Sequence, residues 1–293
     1  MASGRIRLLL LAGLLLTDLQ AQFLLTATPT VTLSMSSVAG STPMNIAWHP
    51  VYGQYYGGRG GNSSYGGIVW STSGAVLQNL APINTDLRSF FYNLNTGNLE
   101  NVTYAAYGST SGYRAVLLNG SGLFTGNYTN VGVTLSGLAD AQVAPAYDAA
   151  RNLLYAYASG NTVTVVSPAT GLAVNSITLD LTAAGSPVLP SDVIGYDAIN
   201  DALISYTTSG GARALAFNAT TGAFLASVTL PALTESPSNW RMGYANDQLF
   251  IYNGTIDSYQ GFAITAIPEP GTLSLLATGL IGFGLFWRRR SRS

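Results

Sequence analysis

Tyr147-Asp-Ala-Ala-Arg-Asn-Leu-Leu-Tyr155-Ala-Tyr157-Ala-Ser-Gly160 is followed by Thr162-Val-Thr-Val-Val-Ser-Pro-Ala-Thr-Gly171 and Leu172-Ala-Val-Asn-Ser-Ile-Thr-Leu179. The pattern returns as Tyr196-Asp-Ala-Ile-Asn-Asp-Ala-Leu-Ile204-Ser-Tyr206-Thr-Thr-Ser-Gly210, then Ala214-Leu-Ala-Phe-Asn-Ala-Thr-Thr-Gly222 and Ala223-Phe-Leu-Ala-Ser-Val-Thr-Leu230. A third copy starts at Tyr244-Ala-Asn-Asp-Gln-Leu-Phe-Ile-Tyr252-Asn-Gly254 and fades after Phe262-Ala-Ile264. Weaker copies lie upstream, at Ile68-Val-Trp-Ser-Thr-Ser-Gly74 and Val116-Leu-Leu-Asn-Gly-Ser-Gly122. The turn glycines Gly74, Gly122, Gly171 and Gly222 are 48, 49 and 51 residues apart, a spacing that marks an internal repeat.

Each unit reads as four short strands. In the best copy these are 143–148, 153–158, 162–167 and 172–179, where Val, Thr and Tyr alternate with a period of two. Asp-x-x-x-Asn, Ser-Gly-Asn and Pro-Ala-Thr-Gly supply the turns, with Gly available for positive φ. Four strands in a repeat of this length are the sequence pattern of a β-propeller blade. The units resemble the loose YVTN, NHL and lactonase-like propeller repeats, without a motif that chooses among them. The expected fold is all-β, a propeller of about five four-stranded blades over residues 22–267, with a β-sandwich as the alternative. The segment 23–37 has strand character at Val31-Thr-Leu-Ser34. It is expected to complete the truncated last unit by pairing within 244–264, which would close the ring and leave no open edge.

The ends of the chain are different in kind. Arg5 and Arg7 precede the short apolar run Leu8–Leu16, and Leu19-Gln20-Ala21 offers a small residue for cleavage before Gln22. This is the layout of a secretory signal peptide over 1–21, and the apolar run is too short to span about 30 Å of hydrocarbon. At the other end come Pro268-Glu269-Pro270, then 17 uncharged residues over 271–287, then Arg288, Arg289, Arg290 and Arg292. As a helix the uncharged stretch reaches about 26 Å, enough to cross a bilayer. Pro-Glu-Pro stops a helix upstream, and the arginines would remain cytoplasmic, leaving the body outside.

These three elements, in this order over 268–293, resemble the PEP-CTERM sorting signal of Gram-negative bacteria. The same tail also goes by the description of an ice-binding protein C-terminal domain, which assigns no ice binding to the body. The resemblance implies that an exosortase, a membrane-embedded cysteine protease, recognises Pro268, Glu269 and Pro270 and processes the tail. It implies a transient hold on the inner membrane through 271–287, a cell that produces exopolysaccharide, and exopolysaccharide or another matrix component as a partner.

Composition narrows the chemistry of the body. Charged residues make up 9 % of the chain, against about 25 % in ordinary soluble proteins. There is no Cys, which excludes disulfides, thiolate metal sites and thiol catalysis. There is no Lys, and between Gln22 and Ile267 stand 6 Arg against 11 acidic residues. A body with formal charge −5 lacks the basic patch that phosphate contacts need, so nucleic acid is not an expected partner.

Candidate catalytic groups are few. His49 is the only histidine, no Gly-x-Ser-x-Gly elbow accompanies it, and it reads as a polar residue at a strand. Asp148 and Asp197 occupy one repeat position and read as Asx-type turns rather than as a glycosidase pair. No Asp-x-Asp-x-Asp loop suggests calcium. No catalytic, cofactor or metal residue is assigned. Gly57-Gly58-Arg59-Gly60-Gly61 lacks the Gly-Lys-Ser/Thr of a phosphate loop and reads as a flexible loop. Tyr52, Tyr55, Tyr56 and Tyr65 around it either stack on sugar rings or belong to the core. Six Asn-x-Ser/Thr sequons occur, from Asn62 to Asn253. Two functions remain open: a non-catalytic scaffold, adhesin or glycan-binding module at the cell surface or in the matrix, and a secreted propeller hydrolase, lyase or lactonase.

Overall fold

The computed structural model describes residues 24–60, 66–83 and 85–267. The described chain enters on a long strand, β1 (Leu24–Ser34). The first blade follows, with β2 (Thr42–Pro43), β3 (Ala47–His49), β4 (Gln54–Gly60), β5 (Gly66–Ser71) and β6 (Val76–Leu80). Its innermost strand is split, so that β2 and β3 pair with opposite ends of β4. The second blade holds β7 (Ser89–Asn93), β8 (Asn98–Val102), β9 (Tyr113–Leu118) and β10 (Phe124–Asn130), with a 3-10 turn at Tyr104–Tyr107. The third holds β11 (Ala146–Asp148), β12 (Leu153–Tyr157), β13 (Thr162–Val166) and β14 (Ala173–Thr178). The fourth holds β15 (Gly195–Asp197), β16 (Ala202–Thr207), β17 (Arg213–Asn218) and β18 (Phe224–Thr229). The fifth holds β19 (Met242–Ala245), β20 (Gln248–Asn253) and β21 (Ser258–Ile267).

The fifth sheet is completed by the first strand, in the order β1-β21-β20-β19. The expected closure is therefore present, and the β-sandwich alternative is excluded. Strand ends agree with the sequence reading within a few residues; the first strand of the third blade starts at Ala146 rather than at Val143. Arg59 of β4 forms an ion pair with Asp257 of the fifth blade, and the same guanidinium donates to the carbonyl of Met35 just past β1. The joint between the first and last blades is thus tied by charge as well as by strand pairing.

The hydrophobic core is not central. It is divided into five apolar layers, one at each blade interface. Between the fourth and fifth blades Ile204, Tyr206 and Ala216 face Met242, Leu249 and Phe262. Between the fifth and first, Leu33, Phe250 and Tyr259 face Tyr55, Ile68 and Trp70. Strands two and three of each blade are covered on both faces, which explains why LLYAY and ALISYT are nearly continuous apolar runs rather than clean alternations.

The repeat spacing of the turn glycines marks blade joints. Gly74, Gly122, Gly171 and Gly222 all have positive φ, between 73° and 82°. The carbonyl of Gly171 accepts from the Gly137 N–H at 2.8 Å, and that of Gly222 from the Asp180 N–H at 2.9 Å, each across to the preceding blade or the segment leaving it.

Gly57, Gly58 and Gly60 lie in β4 and not in a loop, contrary to expectation. Their lack of a side chain is a packing requirement. A Cβ on Gly57 would sit 2.9 Å from Ile46 and from the Trp70 ring, and one on Gly58 would sit 2.7 Å from Leu87. The expected membrane-spanning helix over 271–287 lies outside the described residues. Among the described residues no helix is long and apolar enough to cross a membrane.

Candidate functional site

In four blades the innermost strand ends on a polar residue: His49, Asn93, Asp148 and Asp197. Asx turns follow the last three, as expected for Asp148 and Asp197. The side-chain Oδ1 accepts the backbone N–H two residues on, at 2.9 Å for Asn93, 2.9 Å for Asp148 and 3.0 Å for Asp197. The last residue of each four-residue loop has positive φ, namely Gly53, Gly97, Asn152 and Asp201. The fifth blade carries Ala245 at this place, and alanine has no acceptor. There the connection shortens to Asn246 and Asp247, both at positive φ, with Ala245 paired to Gln248 as in a primed hairpin turn.

One residue upstream of this position every blade carries an aromatic: Trp48, Tyr92, Tyr147, Tyr196 and Tyr244. They stand at one register position, paired with Tyr55, Leu99, Leu154, Leu203 and Leu249 of the second strands. All five are half-buried and line one cavity of about 230 Å³. Its wall comes from all five innermost strands, with Asn45, Phe91, Leu94 and Asn246 completing it; among the described residues it holds neither a carboxylate nor a histidine.

Four of these aromatics lean on the preceding blade. The Tyr92 ring lies 4.3 Å from that of His49, and the Tyr147 ring stacks 4.9 Å from Phe91. The Tyr147 hydroxyl lies 2.9 Å from Oδ1 of Asn93 and 3.0 Å from Oδ1 of Asn152, and accepts from Asn95. The Tyr196 ring lies 5.2 Å from Tyr155, and its hydroxyl donates to Asp201 at 3.1 Å. Burial, reinforced by the charges of Asp148 and Asp201, keeps the Tyr196 hydroxyl protonated far above its ordinary range. Tyr244 is pushed up in the same way by burial and by the charges of Asp197 and Asp247; its hydroxyl faces Asp197 without a hydrogen bond of good geometry.

Carboxylates crowd behind this ring. Asp148 and Asp197 are buried, and Glu100 is buried where it accepts from Asn93, Thr96 and Tyr113. Arg151 bridges two blades, meeting Asp148 at 2.9 Å and Asp201 at 2.6 Å, and holds the Asp201 carboxyl below its usual range. Partial desolvation and then the charge of Asp197 push the Asp247 carboxyl up, although its turn is exposed.

At the opposite ends of the innermost strands lies a second polar cluster. The Arg88 guanidinium sits 5.4 Å from both the Tyr104 and the Trp240 rings, and pairs with Asp86 at 3.0 Å and with Gln142. Asp192, 7 % exposed, accepts from Asn239 at 3.0 Å. Burial and then the Asp140 charge push its carboxyl up to about 6, against the opposing pull of Arg88.

The residues singled out in the sequence fall as follows. Tyr55 and Tyr56 are core residues, 1 % and 0 % exposed, and so are not free to stack on sugar. The Tyr55 hydroxyl accepts from Asn246 and Gln248, and that of Tyr56 donates to the Gly122 carbonyl. They are buried because β4 runs between two apolar layers. Tyr52 is exposed on the loop after β3 and packs on His49 at 4.6 Å. Tyr65, Pro268, Glu269, Pro270 and Arg288, Arg289, Arg290 and Arg292 lie outside the described residues. His49 is buried against Tyr52 and Tyr92 with Nδ1 unpartnered, and burial lowers its pKa. The sequon residue Asn101 is fully buried, donating to the Ser89 carbonyl, whereas Asn127 is exposed. Sequence reasoning found the Tyr-Asp pairs at 147–148 and 196–197 but missed their counterparts Trp48-His49 and Tyr92-Asn93. The signal was there, as an aromatic followed by a polar residue, without identity between copies.

Among solved structures, the chain is similar to glutaminyl cyclase from Myxococcus xanthus at 12 % identity and a TM-score of 0.49, covering 82 % of this chain and 97 % of that one. It is also similar to a luciferin-regenerating enzyme at 11 % identity and a TM-score of 0.41, covering 83 % and 98 %. No curated protein sequence matches the chain. Residues 266–290 match the PEP-CTERM protein-sorting motif, which implies exosortase processing and export to the envelope of a Gram-negative cell. The chain is thus a five-bladed β-propeller carrying the PEP-CTERM protein-sorting motif at its C-terminal end.

Proposed function

We propose that this protein is a non-catalytic binding module of the cell surface or exopolysaccharide matrix, exported by its signal peptide and released from the inner membrane when an exosortase processes the tail. The observation that carries this reading is the aromatic-ringed cavity. Five half-buried aromatics surround a space with no carboxylate or histidine in its wall among the described residues, which suits holding a group rather than transforming it. The carboxylates nearest to it are engaged in turns and ion pairs. Tyr52, exposed beside the loop after β3, remains the one described tyrosine of the original four able to meet a glycan chain at the rim. Sedimentation with the producer's own matrix polysaccharide tests the reading. Wild type is expected in the pellet and a Tyr92→Ala, Tyr196→Ala double variant in the supernatant. Absence of wild type from the pellet, with no biofilm effect of deleting the gene, overturns it.

A second reading, a secreted hydrolase, lyase or lactonase, is favoured by Asp192. A buried carboxyl raised to about 6 beside a guanidinium is a usable acid or base. Turnover of sugar esters or lactones that vanishes in Asp192→Asn would establish it.

A further inference from the structure

We propose that the aromatic-ringed cavity selects a small organic cation, an alkylammonium or quaternary ammonium group, over a neutral sugar. The inference rests on the reading of this cavity as a binding seat and names what that seat takes.

The first ground is the wall. Trp48, Tyr92, Tyr147, Tyr196 and Tyr244 come to one register position from five blades and enclose about 230 Å³. A ring of aromatic faces and edges with an apolar body attracts a cation whose charge is spread under methyl or methylene groups. That space accommodates such a head group, carried as a substituent on a matrix polysaccharide, but not an extended neutral oligosaccharide.

The second ground is the hydrogen-bonding inventory. A sugar needs several free donors and acceptors to replace the water lost from its hydroxyls. Here most are committed. Asn45 uses both ends of its amide on the backbone of Phe90, at 3.3 Å and 2.8 Å. Asn246 donates to Tyr55, Tyr147 is engaged by Asn93, Asn95 and Asn152, and Tyr196 by Asp201. An alkylated ammonium asks for almost none of these bonds.

The third ground is charge. Glu100, Asp148, Asp197, Asp201 and Asp247 stand behind or beside the ring, and their charges act on its tyrosines. Among the described residues Arg151 is the one cation facing them, and it is spent on Asp148 and Asp201. Asp197 has no cationic partner among the described residues; its carboxylate is held by backbone N–H groups and by Asn200 at 2.6 Å. A low-dielectric ring backed by surplus negative charge favours a cation over a neutral or anionic guest.

The test uses the mature protein isolated from the producing cell, titrated calorimetrically and by tryptophan fluorescence. Tetramethylammonium chloride is the probe, with sodium chloride, tert-butanol and methyl glucoside as controls. Tetramethylammonium is expected to bind and the controls not to. Tyr92→Leu, which removes one wall, should weaken binding about tenfold, and Asp247→Asn, which changes charge on an exposed turn that tolerates Asn, about threefold. Circular dichroism of both variants separates lost binding from lost fold. Binding of methyl glucoside or tert-butanol in place of the cation overturns the ligand class and leaves the binding seat standing. No binding by any probe, together with wild-type matrix sedimentation in Tyr92→Leu, overturns both. Cation binding unchanged in Tyr92→Leu and Asp247→Asn places the site elsewhere and overturns the inference.

Discussion

The hydroxyl of Tyr147 lies 2.9 Å from Oδ1 of Asn93, the residue that ends the innermost strand of the blade before its own. That oxygen also accepts the backbone N–H of Asn95, so one side chain shapes a turn and receives the next blade. The same step recurs with variations: Tyr92 packs on His49, and Tyr196 sits over the Arg151–Asp148 pair. The aromatic ring is therefore also the joint that fixes blade to blade around the axis.

Removing the Tyr147 hydroxyl should loosen one such joint. Tyr147→Phe forfeits the hydroxyl's donation to Asn93 or Asn152 and its acceptance from Asn95, and is expected to cost about 1 to 2 kcal/mol in chemical denaturation. Tyr244→Phe is the control. Its hydroxyl is buried facing Asp197 without a hydrogen bond of good geometry, so the change should cost clearly less than the loss at Tyr147. Equal losses in the two variants would contradict this account of the ring.

The turn glycines separate two effects that usually travel together. Gly210→Ala meets nothing within 4 Å and should suffer only the strain of a positive φ, about 1 kcal/mol. Gly222→Ala carries the same strain and also places its Cβ 2.0 Å from the Thr178 carbonyl, forcing two blades apart. It should lose about 3 kcal/mol or more, which thermal melting would register as a fall of roughly 6 to 12 °C.

Much of this architecture was readable beforehand, for local reasons. The 48- to 51-residue spacing survives because each of those glycines needs the left-handed region at a blade joint. The segment 23–37 showed strand character at Val31–Ser34, and its residues 24–34 complete the fifth blade. What escaped was non-local. Gly57 and Gly58 look like a loop until Trp70, Ile46 and Leu87 are seen pressed against them. Arg59 and Asp257 are 198 residues apart, and nothing in either neighbourhood announces the other. The cavity escaped because its five members share a role and a register rather than an identity, Trp48 and Tyr92 preceding His49 and Asn93 where the clear copies have Asp.

Asp192 makes stability depend on pH. Its carboxyl is raised from 3.8 to about 6 in the fold, so between these values the folded protein binds more protons than the unfolded chain. Stability should therefore fall as pH rises from 4 to 6, by on the order of 2 to 3 kcal/mol from this group, and level off above. Asp192→Asn, a neutral mimic that tolerates the residue's positive φ of 64°, should abolish that part of the slope. An unchanged slope in urea titrations at pH 4, 5, 6 and 7 would count against the burial assigned to Asp192.

The seam between the first and last blades should be the first to open. Asp257→Asn removes the charge that Arg59 meets and is expected to cost about 1 kcal/mol or less, because Asp257 is partly exposed. Deleting 24–34 leaves β21 as an unpaired edge, and that chain should be recovered as aggregate. Limited proteolysis should cut Asp257→Asn sooner than wild type within β1, with other sites unaffected.

The intact mass of the protein released from the producing cell tests the account most directly. An exported, exosortase-processed module predicts a species that starts at Gln22 and ends near Pro268–Pro270, without the arginines of the tail. A surface species that still carries Arg288 through Ser293 would contradict it and make the tail a permanent anchor.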